Sequence, residues 1–383
     1  MKIKLGPQLS LCGYVVLLCA YTLFAYTELS VQRNFSTILT LFKIVSIILM
    51  LLGALFQKYH IWELLLYICL GGLGLLIYKS TGISDIMITL IAVISLKSVP
   101  FKSIVKTDFV SRTLLTIVIM VAASINMIPS NDFYSNNKLG FIRHSLGFYH
   151  PNLLGAYILI LTIEFVFLMY TAKKNKTALL SIPFSVIFLE LVSNSRSAEL
   201  ALMLYLVVFC LLSRINITSK LLKAWTVIAT VFVSSLSIVS SIMYNYSSSF
   251  WFYIDQVLSG RPRMIHTVVT EIYPIRLIAE KTSLLGLEQG INLNGKISIF
   301  FIDNSYMSIL IKYGMLAFII FIVWMITNSF KYLNQSDKLI MFCWLIALLF
   351  WGMSEGKLLA IQFNILLFSY VKHSEKVEEG QGE

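Results

Sequence analysis

The chain has 383 residues, of which 58% are hydrophobic and only 13% are charged, whereas an ordinary soluble domain is roughly 25% charged. So few charges cannot cover the surface of a water-soluble protein of this size, and the abundance of apolar residues excludes a disordered chain. The net charge of +11 would suggest nucleic-acid binding in a soluble protein. In so apolar a chain it is instead typical of basic loops that fix membrane topology, and we expect no nucleic-acid partner.

Apolar runs separated by polar breaks predict the membrane layout, because a spanning helix needs about 20 mostly apolar residues. Twelve such runs cover residues 9–27, 35–56, 61–78, 83–96, 109–128, 152–171, 178–192, 198–213, 225–244, 305–327, 339–352 and 358–371. Lysines concentrate in the loops after every second run, which places both termini in the cytoplasm. The sequence therefore predicts an all-α polytopic membrane protein with about twelve transmembrane helices, a single domain over residues 1–383, and a disordered cytoplasmic tail over residues 372–383.

Two long segments, residues 129–151 and 245–304, then face the outside. A segment as long as the second one, without a span of its own, is uncommon and is usually functional. Within it, apolar residues recur at helical spacing and predict an amphipathic helix on the outer membrane surface that ends near Pro274. Those residues are Met264, Ile265, Val268, Val269 and Ile272.

The arginines are distributed differently from the lysines across the predicted inner and outer sides. Six of them fall on the predicted outer side, namely Arg33, Arg143, Arg196, Arg261, Arg263 and Arg276, while Arg112 and Arg214 remain on the inner side. This distribution opposes the positive-inside bias, and a guanidinium can bind phosphate through two parallel hydrogen bonds. It indicates an anionic, phosphate-bearing substrate at the outer face. Contact with lipid headgroups is the alternative, which we favour for Arg33.

A histidine stands where the sixth run begins. Proline is favoured at the first helical position, so Pro151 predicts that His150 lies at the cap of that helix. The outer helix end attracts anions and lowers the pKa of a nearby histidine. A neutral His150 could hydrogen-bond a sugar hydroxyl or accept its proton, or it could simply cap the helix.

Other polar motifs fall at outer ends of predicted helices. Arg196 lies in the first turn of the eighth run, Arg261 and Arg263 flank Pro262 in a rigid turn, and Glu355 stands two residues from Lys357. Asp303 precedes the tenth run, where an aspartate is often only a helix cap.

Charges inside the predicted spans need partners. They are Glu63, Asp85, Glu164 and Glu190. Because they could form a proton or ion path, a transporter remains an alternative to an enzyme.

Four short motifs occur in order: Gly147-Phe148-Tyr149-His150-Pro151-Asn152, Ser195-Arg196-Ser197, Ser259-Gly260-Arg261, and Asp303-Asn304-Ser305-Tyr306 followed by Tyr313-Gly314. Together with the long loop before the last of them, they resemble the bacterial polysaccharide repeat-unit polymerases, which make O-antigen and capsule. The resemblance covers roughly residues 140–315.

The resemblance implies a GT-C-like glycosyltransferase of the bacterial cytoplasmic membrane that inverts the anomeric centre and uses neither metal nor cofactor. The substrate would be an oligosaccharide linked to undecaprenyl diphosphate, and the pathway partners would be a flippase and a chain-length regulator. Arg143, Arg196 and Arg261 would bind the diphosphate with help from Arg263 and Arg276. His150, Asp303 and Glu355 would be the candidates to orient or deprotonate the acceptor hydroxyl.

Three alternatives compete with the polymerase. A lipid-linked oligosaccharide flippase would have a similar span count, but transporters typically place charges near the midplane and show internal repeats. An O-antigen ligase resembles this sequence near Asp303 but has histidine at the matching position, which favours the polymerase. A membrane-bound sugar O-acyltransferase would need an acyl-donor site, for which no motif is found.

Overall fold

The computed structural model describes residues 5–31, 33–134, 141–280, 291–293, 296–298 and 302–368. The predicted disordered tail, residues 372–383, lies outside the described residues, as does the side chain of Arg33. The described chain is predominantly helical, as the sequence predicts.

The first half of the chain forms five helices and a hairpin: α1 (Leu5–Phe24), α2 (Arg33–Leu55), α3 (Ile61–Thr81), α4 (Asp85–Ser95), α5 (Phe101–Ser124), β1 (Asp132–Tyr134) and β2 (Ile142–His144). The second half forms α6 (Pro151–Thr171), α7 (Asn175–Val192), α8 (Arg196–Leu212), α9 (Ser219–Ile242), α10 (Ser249–Val257), α11 (Arg261–Thr267), β3 (Ile291–Leu293), β4 (Lys296–Ser298), α12 (Ser305–Tyr313), α13 (Met315–Tyr332) and α14 (Lys338–Trp351). The two hairpins, each antiparallel, lie in the long loops and depart from the all-α prediction.

Within the described residues, seven helices are long and apolar enough to cross a membrane. They are α1, α2, α3, α6, α7, α9 and α13, and α4 and α14 are shorter apolar helices. The protein is therefore a polytopic membrane protein. Helix α6 lies at the centre of the bundle, whereas α2 and α3 expose most of their apolar side chains, as helices that face lipid do.

The twelfth predicted helix is wrong over its described part. Residues 358–368 form turns and one short 3₁₀ segment, although almost every side chain is buried. The irregular chain starts at the end of α14 with residue 352, beside α12, where the Ser305 N–H donates to the Gly352 carbonyl at 2.8 Å. It ends beside the last turns of α13, where Asn328 Nδ2 donates to the Phe368 carbonyl at 2.6 Å. An irregular chain thus runs through the bundle from one end to the other.

Side chains of the bundle supply hydrogen bonds that a helix would have made internally. Thr89 donates to the Leu359 carbonyl at 3.1 Å, and Trp324 Nε1 donates to the Leu367 carbonyl at 2.9 Å. Arg112 donates to the Gln362 carbonyl. Non-helical backbone at membrane depth is tolerated only where it is enclosed by protein in this way.

The tenth predicted helix is broken in two at Gly314. This residue has φ +96°, and a Cβ there would lie 2.6 Å from the carbonyl oxygen of Leu277. The chain at residues 276–279 crosses at this point, and the Met315 N–H donates to the Arg276 carbonyl at 2.9 Å. A glycine is required because any side chain would displace the crossing segment.

The amphipathic stretch in the second long loop is helical up to Ile272, close to the predicted end at Pro274. Its predicted position on the membrane surface is wrong, however. Ile265 and Val268 are buried in a cluster with Ile302, Met307 and other apolar residues. Its apolar face therefore packs inside the protein.

Arg112 is not a loop charge on the inner side, because α5 begins at Phe101 and carries it into the bundle. Its Nη2 donates to both carboxylate oxygens of Asp108, at 3.0 and 2.8 Å, and both side chains are fully buried. Glu164 of α6 is also fully buried and belongs to the same group of charges.

The remaining carboxylates predicted within spans have local partners. Glu63 pairs with Lys97, Asp85 accepts a hydrogen bond from the Tyr21 hydroxyl at 3.0 Å, and Glu190 accepts one from Asn194 at 3.3 Å.

Candidate functional site

The N-terminal ends of α6 and α8 meet at one end of the bundle. A Cβ on Gly155 would lie 2.2 Å from Ser195 Oγ, so the backbone of α6 approaches the start of α8 without any intervening side chain. His150 caps α6, and its Nδ1 accepts the N–H of Asn152 at 3.1 Å. The N-termini of two helices thus lie side by side, and the positive ends of both helix dipoles attract anions.

Arg143 of β2 ties these two helix ends together. Its Nε donates to the Ser193 carbonyl at 2.8 Å, and its Nη2 donates to Asn152 Oδ1 at 2.6 Å. Burial lowers the pKa of Arg143, while the nearby carboxylate of Glu199 opposes that shift. The two hydrogen bonds of the guanidinium to Ser193 and Asn152 therefore hold the two helix ends together.

Three of the predicted arginines line one cleft of about 320 Å³, although they come from distant parts of the chain. This volume is within the range of small-molecule sites. The lining residues are Arg143, Asn152, Asn194, Arg196, Ser197, Leu200, Val257, Leu258, Ser259, Arg261, Phe350, Met353 and Ser354. The cleft therefore has a cationic side and an apolar side.

Arg261 is brought to the cleft by a tight turn. Ser259 and Gly260 both have positive φ, at +58° and +78°, and they reverse the chain between α10 and α11. Arg261 Nη1 donates to the Leu258 carbonyl at 3.3 Å, whereas Nε is buried and has no hydrogen-bond partner among the described residues. A buried donor without a partner is uncommon in folded proteins, and Arg261 is one of the residues that line the cleft.

Arg196 is the first residue of α8 and lines the same cleft. A cation at a helix N-terminus opposes the helix dipole. The buried carboxylate of Glu199, in the same turn, offsets part of this cost. An anion bound between Arg196 and the helix end would offset more of it.

The other two predicted arginines do not line the cleft. Arg263 lies against the buried Asp255, with Nε 3.6 Å from Oδ2, and its backbone N–H donates to the same carboxylate at 3.0 Å. Arg276 pairs with Glu280 at an exposed position. Both arginines are engaged with local carboxylates.

Glu355 lies beside the cleft and is only 2% exposed. Lys357 Nζ is 3.2 Å from its Oε2, and Ser197 Oγ, on the cleft wall, donates to its Oε1 at 3.4 Å. Burial raises the pKa of Glu355, and the Lys357 ammonium opposes that rise. The pairing with Lys357 that the sequence suggested is present.

Asp303 is held next to this pair by its neighbours. Asn304 caps α12, with Oδ1 accepting the Met307 N–H at 3.1 Å, and Ser305 Oγ donates to the Glu355 carbonyl. The Asp303 carboxylate makes no hydrogen bond or ion pair with any residue that the structure describes. Its charge nevertheless affects the pKa values of both His150 and Glu355.

His150 is neutral near physiological pH. Burial, reinforced by the Arg143 guanidinium, lowers its pKa to about 4. Because Nδ1 accepts the Asn152 amide, the neutral ring carries its proton on Nε2. His150 can therefore donate a hydrogen bond from Nε2, but it has no second lone pair with which to remove a proton.

The four sequence motifs thus converge on one end of the bundle. Several further polar residues of the site were quoted only as neighbours in those motifs or not proposed at all: Asn152, Asn194, Ser197, Glu199 and Lys357. Except for Lys357, they lie at or next to helix caps or in first turns, which is a signal present in the sequence. No known protein family, curated protein or solved structure matches the chain, so its function is argued from these residues.

Proposed function

We propose that the protein is a glycosyltransferase that polymerises oligosaccharide repeat units carried on a polyprenyl diphosphate such as undecaprenyl diphosphate. In this proposal it works at the outer face of a bacterial cytoplasmic membrane and makes O-antigen, capsule or exopolysaccharide. The architecture is GT-C-like with twelve crossings, the last made by the irregular chain that includes residues 358–368, and both termini are cytoplasmic. A flippase and a chain-length regulator of the same pathway are its proposed partners.

The observation that carries the proposal is the convergence of Arg143, Arg196 and Arg261 on one cleft. Three guanidinium groups and two helix N-termini concentrate positive charge there, which is what a diphosphate needs. The carboxylates of Asp303 and Glu355 lie next to that charge, where an acceptor hydroxyl would have to be activated.

The proposed step forms one bond and breaks another. The acceptor hydroxyl attacks the anomeric carbon from the face opposite the diphosphate, which inverts that centre. The anomeric carbon–oxygen bond breaks, and its electron pair leaves on the diphosphate. Guanidinium groups and helix ends stabilise that developing charge, and each such contact is worth about 2.7–4 kcal/mol of barrier.

Among the carboxylates, Asp303 is the proposed base that takes the proton of the acceptor hydroxyl. Its oxygens are uncommitted to described residues, whereas Glu355 is held by Lys357 and Ser197. His150, which offers only its Nε2–H, is assigned to orient the acceptor or the diphosphate. Arg263 and Arg276 are left outside the proposed site.

A lipid-linked oligosaccharide flippase is the second candidate function. The observation that favours it is the buried group of Asp108, Arg112 and Glu164, since intramembrane charges often mark transport paths. Against it, Arg112 is tied to Asp108 and to the Gln362 carbonyl, and this group is separate from the cleft.

The test uses the purified chain in vesicles with a synthetic lipid-diphosphate repeat unit and no nucleotide. We expect a ladder of longer glycans on a gel with the wild-type protein and none with Arg261→Ala. The control is Arg214→Ala, which should keep the ladder because Arg214 is exposed and lies beyond the far end of α8. Movement of the intact lipid across the bilayer without a ladder would instead support the flippase. Binding of the diphosphate lipid is measured in parallel. It tests whether the cleft binds a diphosphate, independently of which sugar the enzyme needs.

A further inference from the structure

Helix α10 exposes an apolar face that nothing in the described structure covers. Phe250, Phe252, Tyr253 and Val257 are all more than half exposed, with Tyr253 at 70%. The only charged residue of the helix is Asp255, and this side chain is buried against Arg263. A continuous aromatic face without charge is unfavourable in water and typical of the membrane interface.

The same face continues the lipid-facing surface of the neighbouring spans. Helix α9 leads into α10 and exposes Val239 and Ile242 at its adjoining end. Helix α8, on the other side of the cleft, exposes a stripe at helical spacing: Leu200, Met203, Val207 and Leu211. Exposed apolar side chains on the helices of a membrane protein are expected to contact lipid, so the exposed face of α10 would extend the lipid-facing surface of α8 and α9.

The cleft opens between these two surfaces. Leu200 of α8 and Val257 of α10 both line the cleft, yet they are 50% and 64% exposed. They therefore lie at its mouth, between the exposed apolar residues of α8 and α10, and the exposed Arg196 lies one turn before Leu200 on the same helix. Apolar residues with a cation one turn nearer the helix end are the arrangement expected where the apolar layer of a membrane meets its headgroups.

We propose that α10 lies in the interfacial layer of the bilayer and that the cleft opens sideways into the membrane between Leu200 and Val257. Its ligand is a phosphate-bearing lipid that moves in laterally, with its chain in the bilayer and its headgroup on the arginines. This inference rests on the proposed function for the role of the cleft, but the position of α10 is independent of it.

The position of α10 is tested with nitroxide labels on single cysteines, after replacement of the native Cys12, Cys19, Cys69, Cys210 and Cys343. Tyr253→Cys is compared with Tyr134→Cys, an exposed aromatic of β1 that is predicted to face water. In vesicles, the label at 253 should be relaxed several-fold more by oxygen than by a water-soluble nickel chelate, and the label at 134 should show the reverse. Equal nickel access at both positions would overturn the proposal. A label at 253 that neither reagent reaches would reveal a protein neighbour and would also overturn it.

The mouth is tested by narrowing it with a larger side chain. Val257→Trp should weaken binding of a polyprenyl diphosphate in phosphatidylcholine vesicles at least tenfold, but should change binding of inorganic diphosphate less than twofold. Leu211→Trp, on the same lipid-facing stripe but distant from the cleft, is the matched control. Vesicles with phosphatidylglycerol in place of the polyprenyl lipid show whether an ordinary anionic headgroup uses the same mouth.

The outcomes separate the two proposals. Equal loss of lipid and inorganic diphosphate in Val257→Trp would mean that both ligands arrive from water, which refutes the lateral opening and leaves the proposed function intact. If wild-type protein bound neither ligand, the proposed function would fail, and the label at position 253 would still decide where α10 lies.

Discussion

Arginine occupies two kinds of place in this molecule, and the two differ in what faces the guanidinium group. In the bundle, Arg112 is fully buried, and its Nη2 donates to Asp108 and to a backbone carbonyl. Its Nε and Nη1 are buried without a partner among the described residues. In the cleft, Arg196 and Arg261 line a cavity of about 320 Å³, and Arg196 stands at a helix end where a cation is unfavourable. The charge of the bundle arginine is paired with a carboxylate of the protein, whereas the cleft arginines border space for a ligand.

The comparison indicates that the partner of an arginine, rather than its charge alone, decides its role. Arg112 stabilises through a fixed partner, so its loss should be seen in the free energy of unfolding. The cleft arginines should be seen in ligand binding and turnover. Each of the following changes tests one side of this contrast.

The largest effect is expected from breaking the buried pair. Arg112→Ala leaves Asp108 buried without its partner and beside Glu164, which should reduce the free energy of unfolding by about 3–5 kcal/mol. Replacing the whole group, with Arg112→Met, Asp108→Leu and Glu164→Gln, should restore most of that loss, because no unpaired charge remains. Unfolding in detergent followed by circular dichroism measures both variants. A triple variant as unstable as the single one would contradict the role of the pair.

The next effect is on catalysis. Arg261→Ala should lower turnover by about 10²–10³-fold, because one donor to the developing diphosphate charge is lost. Arg261→Lys should recover only a small part, since an ammonium cannot reproduce the two-pronged contact. Unfolding of both variants should match the wild type. Loss of stability together with activity would place Arg261 with Arg112 as a structural arginine.

A third change alters the geometry of the site without touching a charge. Gly155→Ala forces a methyl group against Ser195 and should push the start of α8, and Arg196 with it, away from α6. Overpacking of this kind costs about 1–3 kcal/mol, and diphosphate binding should weaken as well. Gly72→Ala in α3 is the matched control, because a Cβ there meets no atom within 4 Å. Equal behaviour of the two variants in unfolding and binding assays would show that the close approach is unimportant.

The last effect is seen only below neutral pH. The folded-state pKa of His150 is lowered to about 4, below the roughly 6.5 of an unfolded chain. The unfolded state therefore binds a proton first as pH falls, and stability should decline between about pH 6.5 and 4, by at most about 1.4 kcal/mol per pH unit. His150→Asn keeps a capping side chain and should flatten that part of the curve. An unchanged slope, measured by unfolding across this range, would assign the decline to other groups.

The sequence was a good guide to apolar helices and a poor guide to what interrupts them. Hydropathy identifies α1, α2, α3 and α6 because each forms a long uninterrupted run. It cannot show that Gly314 breaks the tenth run, since the reason is the chain around Leu277 crossing at that point. It also cannot show that residues 358–368 are irregular. An irregular segment buried inside the protein and a membrane-spanning helix have the same apolar composition.

The site was predictable at the level of motifs and not at the level of contacts. The unusual outward placement of arginines indicated Arg143, Arg196 and Arg261, which share the cleft. It also indicated Arg263 and Arg276, because sequence could not reveal their carboxylate partners Asp255 and Glu280. The amphipathic pattern at 264–272 similarly specified an apolar face without specifying whether lipid or protein would cover it.

The irregular segment 352–368 has a consequence for the order of assembly. Its hydrogen bonds to Thr89 and Arg112 join residues 270 and 250 positions apart in the chain, and long-range contacts of this kind form late. During synthesis, helices α1 to α14 are made before the segment that threads between them. Until this segment is in place, the interior of the bundle is incompletely packed, and Arg112 lacks one of its acceptors. The segment therefore completes the core after the helices have been made, and the nascent protein should be less stable until that moment.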